Sequence, residues 1–489
     1  MSHHRYHTSP VVSEQLQALN EEGWKEGVLS QLPDDWEGQA YQLEAYVRDR
    51  EVQGPSQLLR AVLAYVLCGF SFRHLACWAV LIGLPNLSDT AWRKRIRHCH
   101  AWLWWILQEL LTPSQPAGAI VPVSAQIRSI HLIDTTRLKE PGGSGDDYRV
   151  HVAYDLLSGR FAQVSLSDCH GAESFSRFGL QAGDVAVGDG GYGYRVCVSY
   201  AFKQGAYAIV RICPSTFPLL DEKGNPLDVV AWLKEKGQGT HGKPVSFEYR
   251  GTRYAARLIA KSLAPGDAHR LLEAKLRKAS KKQRHLKEET LFLTGWILLI
   301  STVPQGVWSD AEVLRLYQAR WQIELLFKRM KQILHLNQLR AQTTQTNEVT
   351  ILACLVSWCL QEHQVTACRA LLDTLSESVE PNAFLTGEAA VAQEQEHSEG
   401  PETHVERQEV QGAISEWHLA AMGMQTLRVA VQGYWTPSRL EVCIPHRRRF
   451  CRSSPRKRPH QRHHILSWLS QQCKEVLDDS NLLFNCSGA

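Results

Sequence analysis

The acids Asp134 and Asp189 each occupy a place where a carboxylate is costly unless a cation accompanies it, and Glu324 stands on a helix among cations. Asp134 follows an apolar run ending Leu132-Ile133, and Asp189 follows Val185-Ala186-Val187-Gly188 and precedes Gly190-Gly191. A carboxylate leaving a buried strand, with no basic neighbour in sequence, carries a desolvation penalty. A Mg²⁺ ion would offset it, and two such ions need oxygen ligands drawn from separate elements. Glu324 lies within Tyr317-Gln-Ala-Arg320-Trp-Gln-Ile-Glu324-Leu-Leu-Phe-Lys-Arg-Met-Lys331. On one continuous helix, Tyr317, Arg320, Glu324 and Lys331 project within an arc of about 60° along about 21 Å of axis. Ile323, Phe327, Met330 and Leu334 fill the adjacent sector, so the acid stands at the border of a buried stripe with cations a turn away on each side. That suits a metal ligand facing a polyanion, with Glu324 for the ion and Arg320 and Lys331 for phosphates. Taken singly, each residue has an ordinary alternative: a turn-forming Asp, at Asp189 above all, or a solvent-facing charge pair on a helix. The coincidence of all three favours one shared site.

The spacing Tyr-x2-Arg-x3-Glu-x6-Lys resembles the signature of the insertion-sequence-four family of DDE transposases, and Tyr317, Arg320, Glu324 and Lys331 match it at every position. Asp134 in Ile133-Asp134-Thr135-Thr136 and Asp189 in Gly188-Asp189-Gly190-Gly191-Tyr192 resemble that family's first and second catalytic aspartates. The resemblance covers about 126–370. It implies a ribonuclease H-like core with a β-rich insertion between the second Asp and the Glu. It also implies two Mg²⁺ ions, replaceable by Mn²⁺, with Asp134 bridging, Asp189 on one ion and Glu324 on the other. Tyr317, Arg320 and Lys331 would position phosphates of double-stranded DNA, both element ends and target, in a synaptic homodimer. Trp296, 28 residues before Glu324, resembles the tryptophan that stacks on a flipped base in hairpin-forming members; a strand aromatic is its ordinary alternative. The N-terminal part resembles the family only loosely, and the acidic stretch after 372 departs from it. A nuclease that cuts without joining, or a non-catalytic DNA-binding repressor, are the rival readings.

A sheet and a helix must gather these acids. The runs 127–133, 148–156 and 161–166 read as three strands, 173–180 as a short helix, 184–188 as the strand delivering Asp189, 192–202 as a helix and 206–212 as another strand. That order is the one of a ribonuclease H-like α/β sheet, whose strand ends place polar groups at a cleft. Residues 211–305 carry strand signals at 245–249, 254–260 and 291–301, around a basic stretch with Lys275, Arg277, Lys278, Lys281, Lys282, Arg284 and Lys287. This block reads as a β-rich insertion with a charged arm, whose Lys281, Lys282 and Arg284 are candidate phosphate contacts; a solvated helix face is the alternative. Ser309 and Glu312 form a capping-box pattern opening a long helix over 309–336, and 349–372 is a further apolar helix. The core is thus expected over 126–210 and 306–372.

Residues 1–115 read as helical. Helices over 58–67 and 72–82 precede a third, capped by Ser88, that carries Trp92, Arg93, Lys94, Arg95 and Arg97. Helix, turn, basic helix outlines a helix-turn-helix DNA reader; a helical bundle with one basic face is the plainer alternative. At 489 residues the chain is too long for one core, so several domains follow. A net charge of +4 does not announce a nucleic-acid protein, but its distribution is more informative. Ten acids and one base lie between Asp373 and Glu409, against eight Lys or Arg and no acid between Arg447 and Arg462. We read 373–412 as an acidic flexible linker and 413–489 as a basic C-terminal region that prefers a polyanion. The 13 cysteines include no Cys-x-x-Cys, which argues against a zinc finger and for buried thiols of a reducing cytosol. The start lacks the apolar core of a signal peptide, and Arg73 and His74 interrupt the longest apolar stretch, so no membrane span and a bacterial cytoplasmic location near the nucleoid are expected.

Overall fold

In the computed structural model, residues 10–112, 126–143, 145–283, 285–341, 343–378 and 416–434 are described. Six helices come first: α1 (Pro10–Gly27), α2 (Trp36–Gln42), α3 (Pro55–Leu67), α4 (Phe72–Leu81), α5 (Asp89–Arg97) and α6 (His100–Leu111). Their starts follow capping chemistry. Pro55 opens α3, Ser71 accepts from the His74 N–H, and Ser88 accepts from the Ala91 N–H, each at 3.2 Å for the two serines. The strand region follows: β1 (Ser129–Leu138), β2 (Tyr148–Asp155), β3 (Arg160–Asp168), β4 (Asp184–Gly188), α7 (Arg195–Lys203), β5 (Tyr207–Arg211), α8 (Val229–Lys236), β6 (Thr240–Tyr249), β7 (Thr252–Ser262), α9 (Pro265–Lys281), α10 (Glu288–Phe292) and β8 (Trp296–Ser301). Helices α11 (Asp310–Ala319), α12 (Trp321–Ile333), α13 (Thr344–Ser378) and α14 (Glu416–Gln432) complete the described chain. None is long and apolar enough to cross a membrane.

All eight strands join one mixed sheet in the order β3-β2-β1-β4-β5-β8-β7-β6. β1, β4 and β5 are parallel neighbours, while β2, β3, β8, β7 and β6 pair antiparallel. β4 is buried at all five positions, as a central parallel strand covered on both faces must be. At the start of β1 and β4 a buried polar knot locks the pair. Arg128 and Ser129 donate to Asp184, and His131 stands 3.6 Å from it. Burial opposes the charge on Asp184, but hydrogen bonds from His131, Ser129 and the Gln181 N–H outweigh it and hold the carboxyl at about 2. Asp134 lies further along β1, just past its last pairing with β4, and Asp189 directly follows β4.

Two compact units divide the chain, one comprising 1–107 with 348–489 and the other Gln108–Asn347. In the first, α3 is buried almost throughout, and Trp78, Trp92 and Trp102 are fully enclosed. The buried Arg60 guanidinium donates to the carbonyls of Ala430 and Val431, and the Trp78 indole N–H donates to that of Gln432. These side chains satisfy carbonyls that the end of α14 leaves without helical partners.

Several expectations change. β1 does not stop at Ile133 but runs on to Leu138 beside β2. The expected helix over 173–180 is a single 3₁₀ turn, Phe175–Arg177. The long helix over 309–336 is two, broken at Arg320 between α11 and α12; the Ser309–Glu312 capping box is present. The insertion supplies strands as expected, yet β8 pairs directly with β5, so they extend the same sheet. Its basic stretch is largely helical (α9). Of the span 306–372, only the part through Asn347 clusters with the sheet. The expected linker lies mostly outside the described residues, as does the basic C-terminal region beyond 434.

Candidate active site

Parallel pairing of β1 with β4 ends at Ile133↔Gly188, so Asp134 and Asp189 emerge side by side where the two strands part. Asp134 remains paired with Val152 of β2. Asp189 begins a turn in which the Tyr192 N–H reaches the Asp189 carbonyl at 3.2 Å, and its own Oδ1 accepts from the Gly191 N–H at 2.8 Å. The turn is closely fitted. A Cβ on Gly193 would lie 2.1 Å from the Arg211 carbonyl oxygen, and one on Gly188 would lie 2.7 Å from Cβ of Tyr192. This is why the segment around Asp189 is rich in glycine.

The third acid arrives from the far end of the unit's sequence. Helix α12 packs on β1, burying Ile323, Phe327 and Met330, the stripe expected from the sequence. Arg320, at the break before α12, places Nη1 2.6 Å from Glu324 Oε1 and 3.9 Å from Asp134 Oδ2. The Asp134 and Glu324 oxygens are therefore no further apart than those two distances laid end to end. Tyr317 lies beneath the Arg320 guanidinium, 5.7 Å from ring centroid to Cζ. Lys331 belongs to the same field, since both Asp134 and Asp146 act on its ammonium.

The electrostatics reflect this crowding. Burial pushes the Asp134 carboxyl up to about 6; the Thr135 N–H and Arg320 oppose the rise, while Asp189 and Glu324 add to it. Burial works against the charge on Arg320, yet its bond to Glu324 and the neighbouring Asp134 hold its pKa above the ordinary value. Burial lowers Lys331, against the pull of Asp134 and Asp146. Burial raises Tyr317, with Arg320 and Arg211 opposing.

Among the described residues, no three acid, His or Cys side chains converge on a single point as they stand, because Arg320 stands between Asp134 and Glu324. The donor set nevertheless fits a hard divalent cation. It consists of carboxylate oxygens from two strand ends and a helix, with a buried member whose ionisation its neighbours disfavour until positive charge is supplied.

Other sequence candidates fall elsewhere. Trp296 is 4% exposed and packs in the core with ring centroids 6.2 Å from His241 and 6.3 Å from Phe292, so its indole offers no free face to a base in this conformation. Here the ordinary alternative, a strand aromatic, describes it. Arg93 and Lys94 are exposed on α5, Arg95 and Arg97 half-buried, and the Arg93 guanidinium lies over the Phe72 ring. Lys281 and Lys282 are exposed at the end of α9; Arg284 lies outside the described residues. Arg211 escaped the sequence reading although it ends β5, the next parallel strand, and faces Tyr317 electrostatically. Its place at the C-terminal end of an expected strand was the available signal.

Two acids on adjacent parallel strands and a third on a helix thus lie in one field, with Arg320 and Lys331 among them. Residues 127–360 match the family described as Transposase DDE domain. The chain is 32% identical over 334 residues to Transposase for insertion sequence element IS421 of Escherichia coli, covering 66% of this chain and 89% of that protein. It is 32% identical over 333 residues to Putative transposase InsL for insertion sequence element IS186A of Escherichia coli (strain K12), with the same two shares. The chain belongs to the DDE transposase family. It is a DNA-cleaving and strand-transferring enzyme.

Proposed function

We propose that this chain binds the terminal repeats of an insertion sequence, cuts DNA at the element ends and joins the freed 3′-OH strands to target DNA. The observation that carries the reading is the convergence of Arg320 on Glu324 and Asp134, which brings the helix acid to an acid of β1 that stands 190 positions earlier in sequence. The match of Tyr317, Arg320, Glu324 and Lys331 to the insertion-sequence-four signature supports that branch of the family. The order β3-β2-β1-β4-β5, with β1, β4 and β5 parallel, supports a ribonuclease H-like core over 126–210 and 306–347, the part of the expected 306–372 that clusters with the sheet, with 211–305 as the β-rich insertion.

In this reading Asp134, Asp189 and Glu324 hold two Mg²⁺ ions, with Mn²⁺ able to substitute. When bound, the ions supply an activated oxygen nucleophile and a stabilised leaving oxygen for in-line displacement at phosphorus. The side chains do the rest. Asp134 feels the charge of both other acids. Arg320 and Lys331 bind phosphate oxygens as fork and point charge respectively, and Tyr317 backs the Arg320 guanidinium. Exposed Arg93 and Lys94 on α5, with Arg95 and Arg97, and Lys281 and Lys282 at the end of α9 add phosphate contacts away from the chemistry. Joining two ends calls for a homodimer on double-stranded DNA. The test is substitution of Asp134, Asp189 or Glu324 by Ala: each variant is expected to lose end cleavage while retaining end binding. Near wild-type nicking by any one of them refutes the assignment.

A further inference from the structure

Alternation along β1 sends Asp134 and Thr135 to opposite faces of the sheet. On the face away from Asp134, a chain of hydrogen bonds crosses from the Asp189 turn to β3. Tyr192 OH lies 2.9 Å from Thr135 Oγ1, Thr135 Oγ1 lies 2.8 Å from His151 Nδ1, and His151 Nε2 lies 2.8 Å from Ser167 Oγ. Ser167 Oγ donates in turn to the Asp168 carbonyl at 3.1 Å. Tyr192 and His151 are fully buried, and the Tyr192 ring stacks on Phe175 with centroids 5.1 Å apart.

One consistent set of donors and acceptors accounts for the chain. Ser167 spends its hydrogen on the Asp168 carbonyl, so its oxygen accepts from His151 Nε2–H. Burial, with Arg177 and Arg149 nearby, lowers His151 to about 4, so the ring carries one proton at neutral pH and Nδ1 accepts from the Thr135 hydroxyl. Thr135 Oγ1 then accepts from Tyr192 OH. Reversing any one inner link alone would set a buried donor against a donor, a costly arrangement. The Tyr192–Thr135 link joins the surroundings of the two acids: Tyr192 closes the turn that begins at Asp189, and Thr135 follows Asp134 directly, its N–H donating to Asp134 Oδ1 at 2.7 Å.

We propose that Tyr192, Thr135 and His151 are positioning residues whose directed hydrogen bonds set the separation of Asp134 from Asp189, and with it the affinity of the site for divalent cations. The inference rests on the reading of those acids as metal ligands. Groups that orient ligands from behind characteristically change metal affinity by about 10–100-fold when removed.

The test titrates the full chain with Mn²⁺ and follows free ion by electron paramagnetic resonance, comparing wild type, Asp189→Asn, Tyr192→Phe, Thr135→Val and Thr135→Ser. Tyr192→Phe keeps the ring on Phe175 and drops only the hydroxyl. Tyr192→Phe and Thr135→Val are expected to weaken Mn²⁺ binding about tenfold, with Thr135→Ser restoring it and end-DNA affinity in chelator unchanged. Cleavage by Tyr192→Phe should then recover as metal concentration rises. If Asp189→Asn weakens Mn²⁺ binding but Tyr192→Phe and Thr135→Val bind like wild type, whatever their melting temperatures, the brace is refuted while the ligand assignment stands. If Asp189→Asn also binds like wild type, the ligand assignment fails and the brace falls with it.

Discussion

Asp134→Asn, measured in chelator, is expected to stabilise the catalytic unit at neutral pH while abolishing cleavage. The wild-type side chain is 18% exposed, and burial together with Asp189 and Glu324 moves its carboxyl from 3.8 to about 6. Because the folded pKa is raised, the fold prefers the protonated acid. That preference stabilises the protein fully below the unfolded value and is lost as pH climbs through 6. A shift of about two units corresponds to about 3 kcal/mol of strain above that pH. Asn keeps the shape, and its carbonyl oxygen can still accept from the Thr135 N–H, while the charge is gone. At roughly 2–4 °C per kcal/mol for a unit of this size, the gain in Tm is roughly 6–12 °C. Thermal unfolding followed by circular dichroism at about pH 7.5 and about pH 4 separates the cases, since the gain should shrink towards zero at the lower pH. Equal melting at the higher pH, or a gain that ignores pH, would refute the burial argument.

Lys331→Ala should weaken end-DNA binding and lower the slope of log K against log salt by about one unit, as for one lost phosphate contact; an unchanged slope in a filter-binding series removes that role. Trp296→Ala should destabilise the sheet unit by about 3–5 kcal/mol in denaturant unfolding, because a buried indole is lost. Trp296→Phe should keep end cleavage, and its loss would return the indole to a direct role on DNA. Asp310→Ala strands the Arg257 guanidinium, 8% exposed and 2.9 Å from the Asp310 carboxylate, and should cost about 3–5 kcal/mol by the same measurement.

The three acids proposed as catalytic could be picked out because their surroundings follow local rules. Apolar runs mark the strands before Asp134 and Asp189, and the buried stripe of Ile323, Phe327 and Met330 fixes which side of α12 meets β1. Caps at Ser88 and Ser309 were legible for the same reason, being set by neighbours within a turn. What escaped depends on partners distant in sequence. Nothing local says that α12 starts afresh at Arg320, or that β8 will find the edge of β5. The burial of Trp296 follows from packing against Phe292 and from the arrival of His241 on β6, which composition does not announce. The Tyr192 hydroxyl gained meaning only when folding brought Thr135 within reach.

The pairing of β8 with β5 has a practical corollary for anyone shortening this enzyme. Excising the inserted strands would strip the ladder from Ile209, Val210 and Arg211 and bare a raw edge beside the catalytic strands. Such an edge recruits stray chains and invites aggregation. A trimmed variant would therefore need a replacement strand, or a charge or proline placed to blunt that margin, before its loss of activity said anything about DNA.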